Sequence, residues 1–241
     1  MSNPLTDSEL LFQQIVESRG WKSTQIPQPD VGRSPDFLVS NQSDDRFVAE
    51  IKELTANADD TLFFNEMNRY RTASYNWTFG SRIHEKLNSA SGQLRKHAAE
   101  GLPTIVILYD NISVGGQRVF FPYGSRHLTE SDIDAGMFGE IGTPFIKTEN
   151  TWEVGSAAHT INKSIQSSTN KGHHFSAVAV MIPHTETTSA CFRIFHSPLA
   201  KVKLSKSVFP DSPDAHFFKH MDENGIYPGW HSAPTPSFLI S

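Results

Sequence analysis

The sequence predicts an α/β protein in which a mixed central sheet is flanked by helices, and three observations carry that class. An apolar stripe at helical spacing opens the chain, ending at Gly20. Short strand-like segments bounded by turn residues follow, up to Leu54. A long helical pattern, Ser81 to Glu100, then leads into the continuous apolar run Thr104–Tyr109. The order is helix, three strands, helix, strand, the last three forming a strand–helix–strand crossover.

Each element has a local cause. Thr6 or Asp7 is placed to cap the first helix, with Glu9 in its first turn. Leu11, Phe12, Ile15 and Val16 form its apolar face, and Gly20 suits the left-handed residue that ends a helix. Trp21–Ile26 reads as a strand broken by Pro27 and Pro29. Ser34–Val39 and Arg46–Leu54 read as a hairpin around the polar cluster Asn41–Asp45. Between Thr55 and Gly80 lie Phe63, Phe64, Tyr70, Tyr75, Trp77 and Phe79 with Arg69 and Arg71, a mixture expected to pack under a lid, to make a dimer contact, or to meet bases and phosphates. In the long helix Ile83, Leu87, Ala90, Leu94 and Ala98 line one face, and Gly101 ends it. The Thr104–Tyr109 run is the pattern of a central strand covered on both faces.

Beyond residue 112 the signals thin out. Val119–Tyr123 reads as a strand and Ser131–Gly139 as a short helix capped by Ser131. Phe175–Ile182 and Cys191–His196 read as a buried pair that extends the sheet. From Ser205 the prolines predict irregular wrapping with one short helix near His216, and Phe238–Ile240 is expected to dock on the body. One domain over residues 1–241 is expected, with a core of about 5–112 and an elaboration over 113–241.

At 241 residues with 37% hydrophobic and 20% charged content, the chain is globular in composition. A single cysteine, Cys191, excludes an internal disulfide framework and suits a reducing cytoplasm. The N-terminus lacks a basic region followed by an apolar run, and no stretch approaches a membrane span, so a cytoplasmic location without membrane contact is expected. The net charge of −5 argues against a large non-specific phosphate-binding surface.

The hairpin carries the chemistry. Side chains alternate along a strand, so Phe47, Ala49 and Ile51 face one way and Val48, Glu50 and Lys52 the other. Asp36 lies at the matching end of the preceding strand. Two acids and a lysine therefore meet at one edge of a sheet otherwise apolar enough to be interior, where lone charges are costly. A solvated surface hairpin is the bland account of the same residues.

Pro35-Asp36, thirteen intervening residues and Glu50-Ile51-Lys52 resemble the motif of the PD-(D/E)xK nuclease superfamily. The element order of the first 110 residues or so resembles its restriction-endonuclease-like core, α-β-β-β-α-β, here with a C-terminal sheet extension. The resemblance implies Mg²⁺-dependent hydrolysis of a phosphodiester, with Mn²⁺ as a substitute, in restriction, defence or repair. It implies Asp36 and Glu50 as metal ligands, the Ile51 carbonyl as a third, and Lys52 serving the attacking water. Glu9 resembles an early glutamate that reaches the metal site, although a helix-dipole interaction explains it equally. Gln93 resembles a glutamine that some members place near the metal. Nucleic acid, DNA rather than RNA, is the implied partner, and a homodimer the implied assembly. Arg69, Arg71, Arg82, Lys86 and Lys96 are the candidate phosphate contacts, although a solvated helix face also explains the last three.

Other chemistries find less support. His84-Glu85 is followed by Asn88 where a zinc-binding helix needs a second histidine. His216 and His220 stand four apart near Asp211 and Asp214, without a clear third ligand. No phosphate-binding glycine loop or nucleophile elbow is present in the sequence. A different class of reading keeps the fold as a catalytically silent binding or regulatory module acting with a protein partner. The acidic net charge motivates it, and it needs no metal at Asp36 and Glu50.

Overall fold

In a computed structural model of the chain, the described residues are 4–29, 32–70, 81–111, 113–114, 117–118, 128, 130–138, 140–141, 145–147, 152–154, 160–161, 175–183, 190–209, 214–219 and 230–232. In chain order the elements are α1 (Asp7–Ser18), β1 (Lys22–Gln25), β2 (Phe37–Ser40), β3 (Arg46–Thr55), α2 (Ala58–Tyr70), α3 (Ser81–Ala99) and β4 (Thr104–Asn111). There follow β5 (Ser113–Val114), β6 (Gln117–Arg118), α4 (Glu130–Phe138), β7 (Glu140–Ile141), β8 (Phe145–Lys147), β9 (Trp152–Val154) and β10 (Thr160–Ile161). The chain then runs through β11 (Ala177–Pro183), β12 (Ala190–His196), β13 (Ala215–Phe218) and β14 (His231–Ser232). It divides into two compact units, one of residues Met1–Leu54, Ala90–Asp110 and His174–Ser241, the other of Thr55–Ser89 and Asn111–His173.

The first unit is built on an eight-stranded sheet of order β1-β2-β3-β4-β11-β12-β13-β14. It is mixed: β1, β2 and β3 form an antiparallel meander, β4 pairs with β11 in parallel, and β11 with β12 antiparallel. The alternation predicted for β3 is what the core records. Phe47, Ala49 and Ile51 join Phe37, Val39, Ile105, Ile107, Ala177, Ala179, Phe192 and Ile194 in one cluster that packs on Phe12, Ile15 and Val16 of α1. Val48, Val106, Leu108, Val178 and Val180, one residue out of phase, are also fully buried. A hydrogen bond from Lys52 to Gln93 places the C-terminal part of α3 on that second face, where Ala90 and Leu94 are fully buried. A sheet covered on both sides needs the near-continuous apolar runs seen in β4 and β11.

Both helices of this unit start or stop where the local chemistry directs. Thr6 and Glu9 form a reciprocal capping box at the head of α1. Gly20 and Gly101 take positive φ values of 79° and 82°. At each, the two following hydrogen bonds return to the last turn: Gly20 N–H to Glu17 and Trp21 N–H to Val16, then Gly101 N–H to Ala98 and Leu102 N–H to His97. Glycine is favoured there because a Cβ would strain the left-handed backbone.

In the second unit, α2 begins with a reciprocal pair in which Asn57 Oδ1 accepts from Asp60 N–H and Asp60 Oδ2 from Asn57 N–H, both at 2.8 Å. Gly136 of α4 allows close helix packing, because a Cβ there would lie 2.3 Å from Ile83 Cγ2.

Four expectations change. Ala58–Tyr70 is a helix where none was expected, with a reciprocal cap pair at its N-terminus. His216 lies in a strand, β13, because parallel pairing with β12 overrides the histidine spacing that reads as helical. Ser131 lies inside α4, which begins at Glu130, and so does not cap it. The wrapping segment also contains a 3₁₀ turn, Lys206–Val208. Arg71, Tyr75, Trp77, Phe79, Val119–Tyr123, His220 and Phe238–Ile240 lie outside the described residues.

Candidate active site

The register of the β2–β3 hairpin builds the site. Phe37 pairs with Ala49, so one step further Asp36 comes opposite Glu50, on the same face. Lys52 shares that face two residues on. Asp36 sits just before β2, and its Oδ2 accepts the Ile51 N–H at 2.7 Å. This ties the acid to the backbone of the strand that carries the other two groups.

Glu50 is only 1% exposed. Its Oε1 accepts a hydrogen bond from Lys52 Nζ at 2.5 Å, whereas its buried Oε2 has no hydrogen-bond partner. Lys52 Nζ also donates to Gln93 Oε1 at 2.9 Å, and Gln93 Nε2 donates to the Ser34 carbonyl at 3.0 Å. The structure thus brings Asp36, Glu50, Ile51, Lys52 and Gln93 into one cluster within the first unit. The Ser34 carbonyl is an unforeseen member; a main-chain acceptor leaves no mark in a sequence.

Two carboxylates against one ammonium leave an excess of negative charge in a desolvated place. Burial, then the neighbouring Glu50 and, more weakly, Glu9, push the Asp36 carboxyl up to about 8, against the opposing Ile51 N–H and the Lys52 charge. Burial likewise raises Glu50, with Lys52 and, more weakly, the Asp36 and Gln93 side chains pulling it back.

A hard divalent cation fits this donor set. The buried Oε2 of Glu50 has no hydrogen-bond partner, and it lies beside a second acid whose ionised form is disfavoured by burial and by Glu50 itself. Mg²⁺ commonly takes one or two carboxylates and keeps several waters. Among the described residues no group of three or more His, Cys, Asp or Glu side chains is arranged to hold a metal.

The remaining candidates lie elsewhere. Glu9 is held in the α1 capping box, where its Oε2 accepts the Thr6 N–H at 2.7 Å, yet it remains near enough to repel Asp36. Arg82 is not part of an open phosphate stripe: its guanidinium is paired with Asp60 at 2.8 Å and also donates to the Thr55 carbonyl. Lys86 is half-buried and Lys96 exposed on α3. Arg69 is exposed and lies over the Tyr70 ring, 5.1 Å from its centroid. Arg71 lies outside the described residues.

No family model and no curated protein matches the chain. Among solved structures it is similar to SfsA of Pyrococcus furiosus in complex with Ca²⁺, at 12% identity and a TM-score of 0.28. The match covers 93% of this chain and 64% of that one, so this chain spans less than two thirds of its length. So low a score carries nothing about fold or function. Among the described residues, no helix is long and apolar enough to cross a membrane.

Proposed function

We propose that the chain is a metal-dependent nuclease of the PD-(D/E)xK type, with a restriction-endonuclease-like core, acting on nucleic acid and on DNA in preference to RNA. The observation that supports it is the buried convergence of Asp36, Glu50 and Lys52, with one Glu50 oxygen left unpartnered.

In this reading Asp36 and Glu50 hold Mg²⁺, with the Ile51 carbonyl as a third donor. The bound ion supplies Lewis-acid stabilisation of the phosphate and a lower pKa for its water. Lys52 has three donors and spends two within the protein, leaving one for the attacking water or the scissile phosphate. Its positive charge offsets the charge that develops as the water oxygen bonds to phosphorus and the P–O ester bond breaks. Gln93, fixed by Ser34, holds the lysine in line. The apolar sheet beneath, buried on both faces, supports these groups. Arg69, Lys86 and Lys96 are left for phosphate contacts, and a homodimer would supply two such sites for two strands.

The test is cleavage of plasmid, linear and single-stranded DNA and of structured RNA with Mg²⁺ or Mn²⁺. Asp36→Ala and Lys52→Ala should each lower the rate roughly a hundredfold or more while the protein stays folded. Activity that survives both substitutions overturns the assignment. No cleavage by the wild type, with no Mn²⁺ binding by calorimetry, would favour the silent binding module.

A further inference from the structure

Lys52 is bonded in a way that serving a water does not require. Its ammonium touches Glu50 Oε1 at 2.5 Å and Gln93 Oε1 at 2.9 Å at once. The Gln93 amide cannot turn round without loss. Its Nε2 faces the Ser34 carbonyl, which only accepts, and its Oε1 faces an ammonium, which only donates. Gln93 thus presents a prealigned neutral acceptor to the lysine. Glu50, by contrast, uses one oxygen for the ammonium and leaves the other without a partner.

Resting on the metal-site reading above, we infer that Lys52 is a built-in counter-ion that competes with the divalent cation for Glu50, and that Gln93 is the positioning residue that retains the lysine when it yields. An ammonium and a dication cannot share one buried carboxylate cheaply, because like charges at such range repel strongly where water is excluded. On cation binding Lys52 gives up Glu50 Oε1, keeps its bond to Gln93 Oε1 and so stays within the site with a donor freed. Without Gln93 the displaced ammonium loses the acceptor that retains it, and cation binding must bear that loss. Exchange at Glu50 thus couples metal loading to the placing of the lysine.

The test is a double-mutant cycle on the full chain, read as Mn²⁺ affinity by calorimetry. Lys52→Met should bind Mn²⁺ roughly threefold or more tightly than the wild type, and Gln93→Leu more weakly by a similar factor, as contacting residues couple. In the Lys52→Met background, Gln93→Leu should change nothing. Should Gln93→Leu not fold, Gln93→Asn, too short to reach both partners, takes its place in the cycle. Equal weakening by the Gln93 substitution in both backgrounds would make Gln93 a metal ligand or a structural prop and overturn the exchange. Unchanged or weaker binding by Lys52→Met would also overturn it. In either case, Mn²⁺ binding that Asp36→Ala abolishes would leave the metal site itself standing. No Mn²⁺ binding by wild type or Lys52→Met overturns both.

Discussion

Glu50 and Asp214 are both buried carboxylates of the first unit, each with a basic partner, and they are satisfied to different degrees. Asp214 has both oxygens engaged: Oδ2 takes Arg19 Nη1, and Oδ1 takes Arg19 Nη2 at 3.1 Å and the Phe192 N–H at 2.8 Å. The guanidinium is equally occupied, with Nη2 also on the Ala190 carbonyl at 2.9 Å and its plane 5.2 Å from the Phe192 ring centroid. Such a forked, saturated pair clasps α1 to the far strands of the sheet. Glu50 has a single ammonium on one oxygen, nothing on the other and a second acid opposite. A pair that is only structural gains nothing from being left incomplete. Incomplete satisfaction next to a like charge is the feature on which the proposed cation site rests.

The largest expected contrast lies in stability. Arg19→Met leaves Asp214 buried without its counter-charge and should cost about 3–5 kcal/mol in denaturant unfolding, the usual result of breaking a buried pair from one side. Lys52→Met should cost under about 1 kcal/mol, because Glu50, already raised, can take a proton instead of remaining charged. Equal losses would erase the distinction between the two pairs.

Asp36→Asn should do the opposite of the usual core substitution and stabilise the fold, by on the order of 1–3 kcal/mol above pH 8. With a folded value of about 8 against an ordinary 3.8, ionised Asp36 penalises the native state. That penalty is complete above pH 8, shrinks as the folded carboxyl takes up its proton at lower pH, and is gone below 3.8. The gap between variant and wild type should therefore close as pH falls through this window. A gap that is constant with pH would mean that Asp36 is not perturbed.

A smaller effect comes from the buried pair on β12 and β13. His216 Nε2–H donates to the Phe209 carbonyl at 2.5 Å, and its Nδ1 shares a hydrogen bond with His196 Nε2 at 2.7 Å. Burial first, then His216, Lys206 and Lys203, lower His196 from 6.5 to about 3. Unfolding lets it take a proton at its ordinary value, so stability should fall as pH drops below 6.5 toward 3, by about 2 kcal/mol at pH 5. His196→Phe should flatten that slope in unfolding curves taken from pH 4 to 7. This acid loss runs opposite in sign to the alkaline loss at Asp36, which lets the two be separated in one pH series.

What could be read from the chain was what depends on near neighbours. The Asn41–Asp45 turn sets the hairpin register, and that alone puts Asp36 across from Glu50. Thr6, Gly20 and Gly101 mark helix ends through their own backbone needs. The stripe from Ile83 to Leu94 identifies the buried face of α3. Distant pairings left no such trace. Arg19 and Asp214 stand 195 positions apart. Arg82 belongs to Asp60 rather than to a phosphate stripe, and His216 takes its strand from β12. The helix α2 was legible in principle, since Asn57 three residues before Asp60 is a capping pattern, but the aromatics around it drew the reading toward a lid.

The most direct measurement is the shift in melting temperature on adding Mn²⁺ to wild type, Asp36→Asn, Glu50→Gln and Arg19→Lys. A ligand held only by the folded state raises the melting point in step with its concentration. The wild type should rise with Mn²⁺ and Arg19→Lys should rise as much from a lower start, whereas Asp36→Asn and Glu50→Gln should not respond. No response from the wild type, or an equal response from all four proteins, would contradict a cation site at Asp36 and Glu50.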